Sequence, residues 1–76
     1  MSDNKSSIQT ILEYIHDTSY DCDELEVDLD EDNNYVLCHY DGHQSVPLDY
    51  PPVSREHIDS KSLRAKLDEL GIAQCF

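Results

Sequence analysis

The sequence predicts a small α+β domain with two layers, in which two helices pack on one face of a three-stranded antiparallel meander. Two patterns predict this class. Apolar residues recur with helical spacing near both ends of the chain, and strict alternation with period two begins at Glu24. The predicted order of elements is α-β-β-β-α. The 76 residues are too few for two domains, so we expect residues 1–76 to form one.

The first helix is predicted over residues 6–17. Ser6 and Gln9 have the spacing of a capping box, in which each side chain satisfies the backbone N–H of the other residue. Four apolar residues then share one stripe with i, i+3, i+4, i+7 spacing: Ile8, Ile11, Leu12 and Ile15. The stripe predicts the face of the helix that packs on the sheet.

The first strand is predicted over residues 24–30, where carboxylates and aliphatic residues alternate without interruption. Period two places Leu25, Val27 and Leu29 on one face of the strand and the acids on the other. The aliphatic face is therefore expected to meet the helices. The turn residues 32–34 tolerate left-handed backbone and predict a hairpin to the next strand.

A second strand at 35–41 and a third at 45–50 complete the predicted meander. With an even-length first loop, six residues of these strands would face the core: Val36, Cys38, Tyr40, Val46, Leu48 and Tyr50. A register shift of one residue would exchange the two faces of the second strand. Pro47 cannot donate a ladder hydrogen bond, so the third strand is expected at an edge.

The second helix is predicted over residues 60–70, after a short turn capped by Ser54. Three leucines share its inner face: Leu63, Leu67 and Leu70. Gly71 is expected to end the helix in the left-handed conformation. Ile72 would then contact Leu67 in a Schellman arrangement.

The chain is strongly acidic, with 17 Asp and Glu against 5 Lys and Arg and a net charge of −12. Nine acids and no Lys or Arg lie between Asp17 and Asp32. Four of them form a row on the outer face of the first strand: Glu24, Glu26, Asp28 and Asp30. Four others form its rim: Asp21, Asp23, Glu31 and Asp32. This charge argues against direct binding to nucleic acid or to an anionic membrane.

Repulsion between the acids of this row lowers the stability of the fold, which favours a functional role for the row. Alternate strand residues are about 6.8 Å apart, which is less than the Debye length of about 8 Å at physiological salt, so the acids repel one another. A regular row of negative charge on a rigid ribbon is electrostatically similar to a nucleic-acid backbone. The alternative is a solvated strand face with no partner, although such a face is expected to carry both signs of charge.

The acidic segment Glu24–Asp32, together with the order of elements, resembles the small nucleic-acid-mimic inhibitors of phages and mobile elements, of the anti-CRISPR or anti-restriction type. The resemblance implies stoichiometric inhibition of a nucleic-acid-binding enzyme through occupation of its cationic channel. Double-stranded-RNA-binding domains share the order of elements. This chain lacks their basic helix terminus and loop, so direct RNA binding is not expected.

The sequence gives no support to catalysis or to a cofactor, because it has no phosphate-binding glycine loop and its acids are expected to be exposed.

Three widely spaced cysteines, Cys22, Cys38 and Cys75, indicate free thiols in the cytoplasm. No apolar stretch is long enough to span a bilayer. We expect Cys38, His39 and His43 not to form a specific metal site, since they lack paired-ligand spacing.

We therefore predict a non-enzymatic acidic protein that binds the cationic surface of a nucleic-acid-binding protein or complex. The first alternative is a regulatory adaptor that binds a host protein through an apolar patch or through Pro51-Pro52. The second is a small metal-binding module that uses Cys38, His39 and His43. The sequence leaves open whether the protein is a monomer or a dimer.

Overall fold

The computed structural model describes residues 8–76, except for the side chain of His57. The described residues form two helices and five strands: α1 Ile8–Asp17, β1 Leu25–Leu29, β2 Asn34–Tyr40, β3 Ser45–Pro47, β4 Val53–Ser54, α2 Ser60–Leu70 and β5 Ala73–Cys75. Short 3₁₀ turns at Cys22–Glu24 and Arg55–His57 precede β1 and α2. The α+β class and the two helices flanking a meander are confirmed, whereas the two short strands β4 and β5 are additions to the prediction.

The five strands form one mixed sheet in the order β3-β2-β1-β5. The meander β1-β2-β3 is antiparallel, as predicted. β5 adds to the free edge of β1 in parallel orientation, and β4 pairs with the first residues of β2. Pro47 therefore lies on an edge strand, as its missing N–H predicts.

Both helices pack on the same face of the sheet. Ile11 of α1 and Leu63 and Leu67 of α2 belong to one buried cluster with Leu25 and Val27 of β1. Burial of these aliphatic side chains is the main stabilising contribution that the fold offers. The opposite side of the sheet, here called the open face, carries eleven residues: Glu26, Asp28, Asn34, Val36, Cys38, Tyr40, Ser45, Pro47, Ser54, Ala73 and Cys75.

The predicted orientation of the second strand is wrong. Val36, Cys38 and Tyr40 lie on the open face, and Tyr35 and Leu37 fill the core. The cause is a three-residue hairpin loop in place of the expected even-length loop. Asn33 adopts a left-handed φ of 64°, and the Asp30 N–H donates to the Asn34 carbonyl at 2.9 Å. An odd number of loop residues exchanges the two faces of β2.

Two smaller predictions about burial are also wrong. β3 ends at Pro47, and the Val46 side chain, expected in the core, is 47% exposed. The Leu70 side chain at the end of α2 is 39% exposed rather than inward. Leu48 and Tyr50 follow β3 and still pack partly against the core.

The helix-end predictions are confirmed where the structure describes them. Ser54 accepts a hydrogen bond from the Glu56 N–H at 3.3 Å and caps the second 3₁₀ turn. Gly71 ends α2 with a φ of 79°, and the Ile72 N–H donates to the Leu67 carbonyl at 2.9 Å, as in a Schellman motif. The capping box of the first helix depends on Ser6, which lies outside the described residues.

Candidate functional site

The eight predicted site residues occupy β1 and its two ends, and they differ in burial. Five are exposed, in an N-terminal acidic patch of Asp21, Asp23 and Glu24 and a C-terminal acidic patch of Glu31 and Asp32. Three are half-buried: Glu26, Asp28 and Asp30. The structure therefore separates the predicted continuous row into two exposed patches. They are joined by β1, whose five residues span about 16 Å.

The half-buried acids already have partners within the protein. The Ser45 hydroxyl donates to Glu26, and the Leu29 N–H donates to Asp28 at 2.8 Å. Asp30 Oδ1 accepts from two backbone N–H groups of the hairpin loop, each at 2.9 Å. These carboxylates therefore shape the sheet and its loop. The exposed acids are better placed for contact with a partner.

Among the described residues, no basic side chain forms an ion pair with the acidic surface. Within the part of the chain that the structure describes, the one ion pair joins Lys66 to Glu69 on α2 at 3.6 Å. All four Lys and Arg residues of that part of the chain follow β4 in sequence. Within residues 8–76, the acids around β1 therefore have no ion-pair partner, and their negative potential favours association with a cationic surface.

On the open face, the Glu26, Asp28 and Cys75 side chains form a cluster. One potential ligand atom from each residue lies within 4.8 Å of the others. The parallel pairing of β5 with β1 places Cys75 directly opposite Asp28. The sequence analysis missed this cluster because three residues of β5 are too few to produce a recognisable strand pattern.

A second thiol, Cys38, lies beside this cluster. Cys38 is opposite Glu26 in the register of β1 and β2, and it is 2% exposed. Burial, with the nearby charges of Asp28, Glu26 and Cys75, raises the pKa of the Cys38 thiol from 9.0 to about 11. A hydrogen bond to Glu26 raises the pKa of Cys75, and the negative charges of Asp28 and Glu26 add to this effect. Both thiols are therefore protonated at neutral pH.

The structure does not bring Cys38, His39 and His43 together. Cys38 is on the open face, while His39 points to the opposite side and stacks on Tyr20 with ring centroids 3.9 Å apart. His43 is exposed in the β2–β3 turn, where its N–H donates to the Asp41 carboxylate at 2.9 Å. The Gln44 and His43 amides lower the pKa of Asp41. Hydrogen bonds from these backbone amides to Asp41 account for the conformation of the β2–β3 turn.

A groove of about 490 Å³ opens between the two helices. Seven residues line it: Leu12, Ile15, His16, Cys22, Lys66, Glu69 and Leu70. Its base is apolar and its rim carries both signs of charge. Leu70 is exposed at this groove instead of in the core, so the groove is the apolar patch that an adaptor would need. Neither helix in residues 8–76 is long and apolar enough to cross a membrane.

Comparison of the chain with protein-family models, curated proteins and solved structures finds no match. Functional conclusions therefore rest on the geometry, burial and charge of the acidic surface, the open face and the helical groove.

Proposed function

We propose that this protein is a non-enzymatic acidic binding protein that acts as a mimic of DNA or RNA. It inhibits a nucleic-acid-binding enzyme complex, in the manner of an anti-CRISPR protein, by occupying its cationic groove. The observation that supports this proposal most strongly is the acidic surface, which has no ion-pair partner among the described residues. None of the eight acids at β1 forms an ion pair with another described residue.

The geometry of the acids suits a groove that binds a nucleic-acid backbone. The two exposed patches lie at opposite ends of one hairpin strand, and the sheet holds them at a fixed separation. Asp28 and Glu26 add charge between the patches. Arg and Lys side chains that contact phosphates bind carboxylates through the same charge-assisted hydrogen bonds. The protein would bind such a groove in place of DNA or RNA, with fast and salt-sensitive association.

Two further observations agree with a cytoplasmic protein without enzymatic activity. Cys22, Cys38 and Cys75 are all free thiols, as is typical of proteins from reducing compartments. The raised pKa values of Cys38 and Cys75 disfavour the thiolate that a cysteine nucleophile needs.

The test uses charge reversal at exposed positions, because Glu26 is hydrogen-bonded to Ser45 and its replacement would also disturb the sheet. The variant Asp23→Lys/Glu31→Lys changes one residue in each acidic patch. The matched control Glu13→Lys/Glu56→Lys makes the same change in net charge at two exposed acids outside the segment from Asp17 to Asp32. Partners are captured from bacterial lysate with the wild-type protein, eluted with a salt gradient and purified.

Binding of each purified partner to labelled duplex is then measured by fluorescence anisotropy while the wild-type protein or a variant is added. We expect wild type and control to displace the duplex equally. Asp23→Lys/Glu31→Lys should be weaker by about tenfold or more, because attractive contacts become repulsive. Displacement that is equal for all three proteins would contradict the proposal, as would partners that bind no nucleic acid.

The second candidate function is a regulatory adaptor, and the groove between the helices favours it. An adaptor would bind an apolar segment of a host protein against Leu12, Ile15 and Leu70. Its binding would depend little on salt. Leu70→Ser would abolish capture of that partner, and Asp23→Lys/Glu31→Lys would leave it intact, which is the reverse of the pattern expected for the acidic mimic.

A further inference from the structure

One tyrosine on the open face has an exposed ring without a partner. Tyr40 is 43% exposed, and its side chain makes no ring contact or hydrogen bond with another described residue. The ring of each other tyrosine packs on a second ring: Tyr14 on Tyr50, Tyr20 on His39 and Tyr35 on Phe76. Among the residues that the structure describes, Tyr40 is therefore the one tyrosine whose ring is left for contact with a partner.

The Glu26 carboxylate lies beside this ring. Ser45 is directly opposite Tyr40 in the register of β2 and β3, and its hydroxyl donates to Glu26. Opposite residues on paired strands have Cβ atoms about 4.5–5.5 Å apart, so the carboxylate that Ser45 holds borders the Tyr40 ring. Glu26 projects from β1 opposite Cys38, so its side chain must cross β2 beside Cys38 to reach Ser45. This path accounts for the burial of Cys38, which is only 2% exposed although neither helix packs on the open face.

The open face carries negative charge without a positive counterpart. Glu26 and Asp28 are its acids, and none of its eleven residues is Lys or Arg. Neither acid forms an ion pair with another described residue. The same face exposes Tyr40 and Pro47. A partner that is complementary to this face therefore supplies a cation together with a flat apolar surface.

We propose that the open face docks an arginine-bearing segment of the nucleic-acid-binding partner, with one arginine held between the Tyr40 ring and the Glu26 carboxylate. This inference rests on the proposed function and names the partner side chain that the acidic protein recognises. A guanidinium is planar, stacks on aromatic faces and donates N–H groups to a carboxylate. A lysine ammonium is a strongly hydrated point charge, so it gains less from the ring.

Glu26 is held ready for this contact. The Ser45 hydroxyl and the Cys75 thiol donate to its carboxylate. A carboxylate has about four acceptor sites, so about two remain for a guanidinium. Because Ser45 already holds the side chain in place, binding of an arginine costs less conformational entropy than at a freely rotating glutamate. Tyr40 and Glu26 therefore select arginine over lysine, whereas the exposed acidic patches attract cations of either kind.

The test compares labelled oligo-arginine and oligo-lysine peptides of equal length, bound to the full chain at physiological salt and followed by fluorescence anisotropy. We expect wild type to bind the arginine peptide more tightly. Tyr40→Leu should weaken binding of that peptide by about fivefold, the effect of one partly desolvated cation–π contact, and should change binding of the lysine peptide by less than about twofold. Tyr40→Phe keeps the ring and should bind like wild type.

Tyr20→Leu is the matched control. Tyr20 is 41% exposed and adjoins the N-terminal acidic patch, but its ring stacks on His39 on the other side of the sheet. The control should leave the affinity for both peptides unchanged within about twofold. Glu26→Gln keeps an acceptor for Ser45 and removes the charge, so it should weaken binding of both peptides. Circular dichroism establishes that each variant is folded.

An arginine-peptide affinity that is unchanged in Tyr40→Leu, or reduced equally in Tyr20→Leu, would overturn the proposal. So would a Tyr40→Phe variant that behaves like Tyr40→Leu. A wild-type dimer that Tyr40→Leu abolishes, measured by analytical ultracentrifugation, would also overturn it, because a second copy would then cover the open face.

The duplex-displacement assay distinguishes this inference from the acidic mimic on which it rests. Tyr40→Leu should displace duplex about fivefold more weakly than wild type. If Tyr40→Leu equals wild type while Asp23→Lys/Glu31→Lys is weaker, the arginine contact alone is overturned. Equal displacement by all of these proteins overturns the acidic mimic itself.

Discussion

Asp30 illustrates how one acidic residue can serve the fold rather than a binding surface. Its carboxylate accepts hydrogen bonds from Asp32 N–H and Asn34 N–H, which closes the three-residue loop between β1 and β2. The loop sets the register of the hairpin, so the same carboxylate decides which side of β2 faces the core. Asp32, two residues later, is exposed and its carboxylate makes no described hydrogen bond.

The variants Asp30→Ala and Asp32→Ala separate this role from the effect of charge. Both remove one negative charge from the same loop. Asp30→Ala should lower the free energy of unfolding by about 1–2 kcal/mol, because the exposed Asp32 N–H and the half-buried Asn34 N–H both lose a charged acceptor. Asp32→Ala should change it by less than about 0.5 kcal/mol. Urea denaturation measures both, and equal effects would mean that the Asp30 hydrogen bonds do not stabilise the hairpin.

At the scale of elements, β5 is the strand that completes the open face. It is joined to α2 as well as to β1. The Gln74 amide donates to the Asp68 carboxylate at 2.7 Å, and the Arg64 guanidinium donates to the Phe76 carbonyl at 2.6 Å. The Phe76 ring packs edge-to-face against Tyr35, with centroids 5.0 Å apart. Side-chain contacts therefore hold β5 in place although the strand is only three residues long.

The contribution of β5 is tested by Phe76→Ala. Loss of the half-buried ring and of its contact with Tyr35 should lower the free energy of unfolding by about 1–2 kcal/mol. Phe76→Leu keeps most of the apolar volume and should lose roughly half as much. In Phe76→Ala, amide hydrogen exchange should accelerate in β5 more than in β2. Uniform acceleration across the sheet would show that β5 is not a separately stabilised element.

The elements that could be predicted from sequence are those with a long local pattern. α1, α2 and β1 each contain several turns or alternations of apolar residues, and the structure confirms them. β5 could not be predicted, because the three residues Ala73-Gln74-Cys75 are too few for a recognisable strand pattern and their stability comes from contacts distant in sequence. The orientation of β2 depended on one left-handed residue, Asn33, which decides between an even and an odd loop.

The same distinction applies to the candidate site. The alternation in β1 correctly places Glu26 and Asp28 on the side of the sheet opposite the helices. Their neighbours Cys38 and Cys75 could not be assigned to that side, because each requires a strand pairing that the sequence leaves open. Local patterns therefore indicated the acids, and only the tertiary structure placed the thiols beside them.

At the scale of the whole molecule, charge is distributed in two unequal parts. Residues 55–76 contain four basic and four acidic residues, so the net charge of −12 belongs to residues 1–54. Alternate acids along β1 are about 6.8 Å apart, which is within the screening length of about 8 Å at physiological salt. Their mutual repulsion opposes the compact state, in a protein whose small size limits the core that can offset it.

The protein should therefore be more stable when its charges are screened. The Debye length falls from about 30 Å at 0.01 M salt to about 8 Å at 0.15 M. We expect the free energy of unfolding, measured in urea, to rise by about 0.5–1 kcal/mol over this range, the scale of a few exposed charge interactions. Glu31→Gln/Asp32→Asn should be more stable than wild type at low salt and gain less from added salt. If stability stays constant or falls as salt increases, repulsion between the acids does not destabilise the fold. A cationic partner would then gain no binding energy from relieving that repulsion.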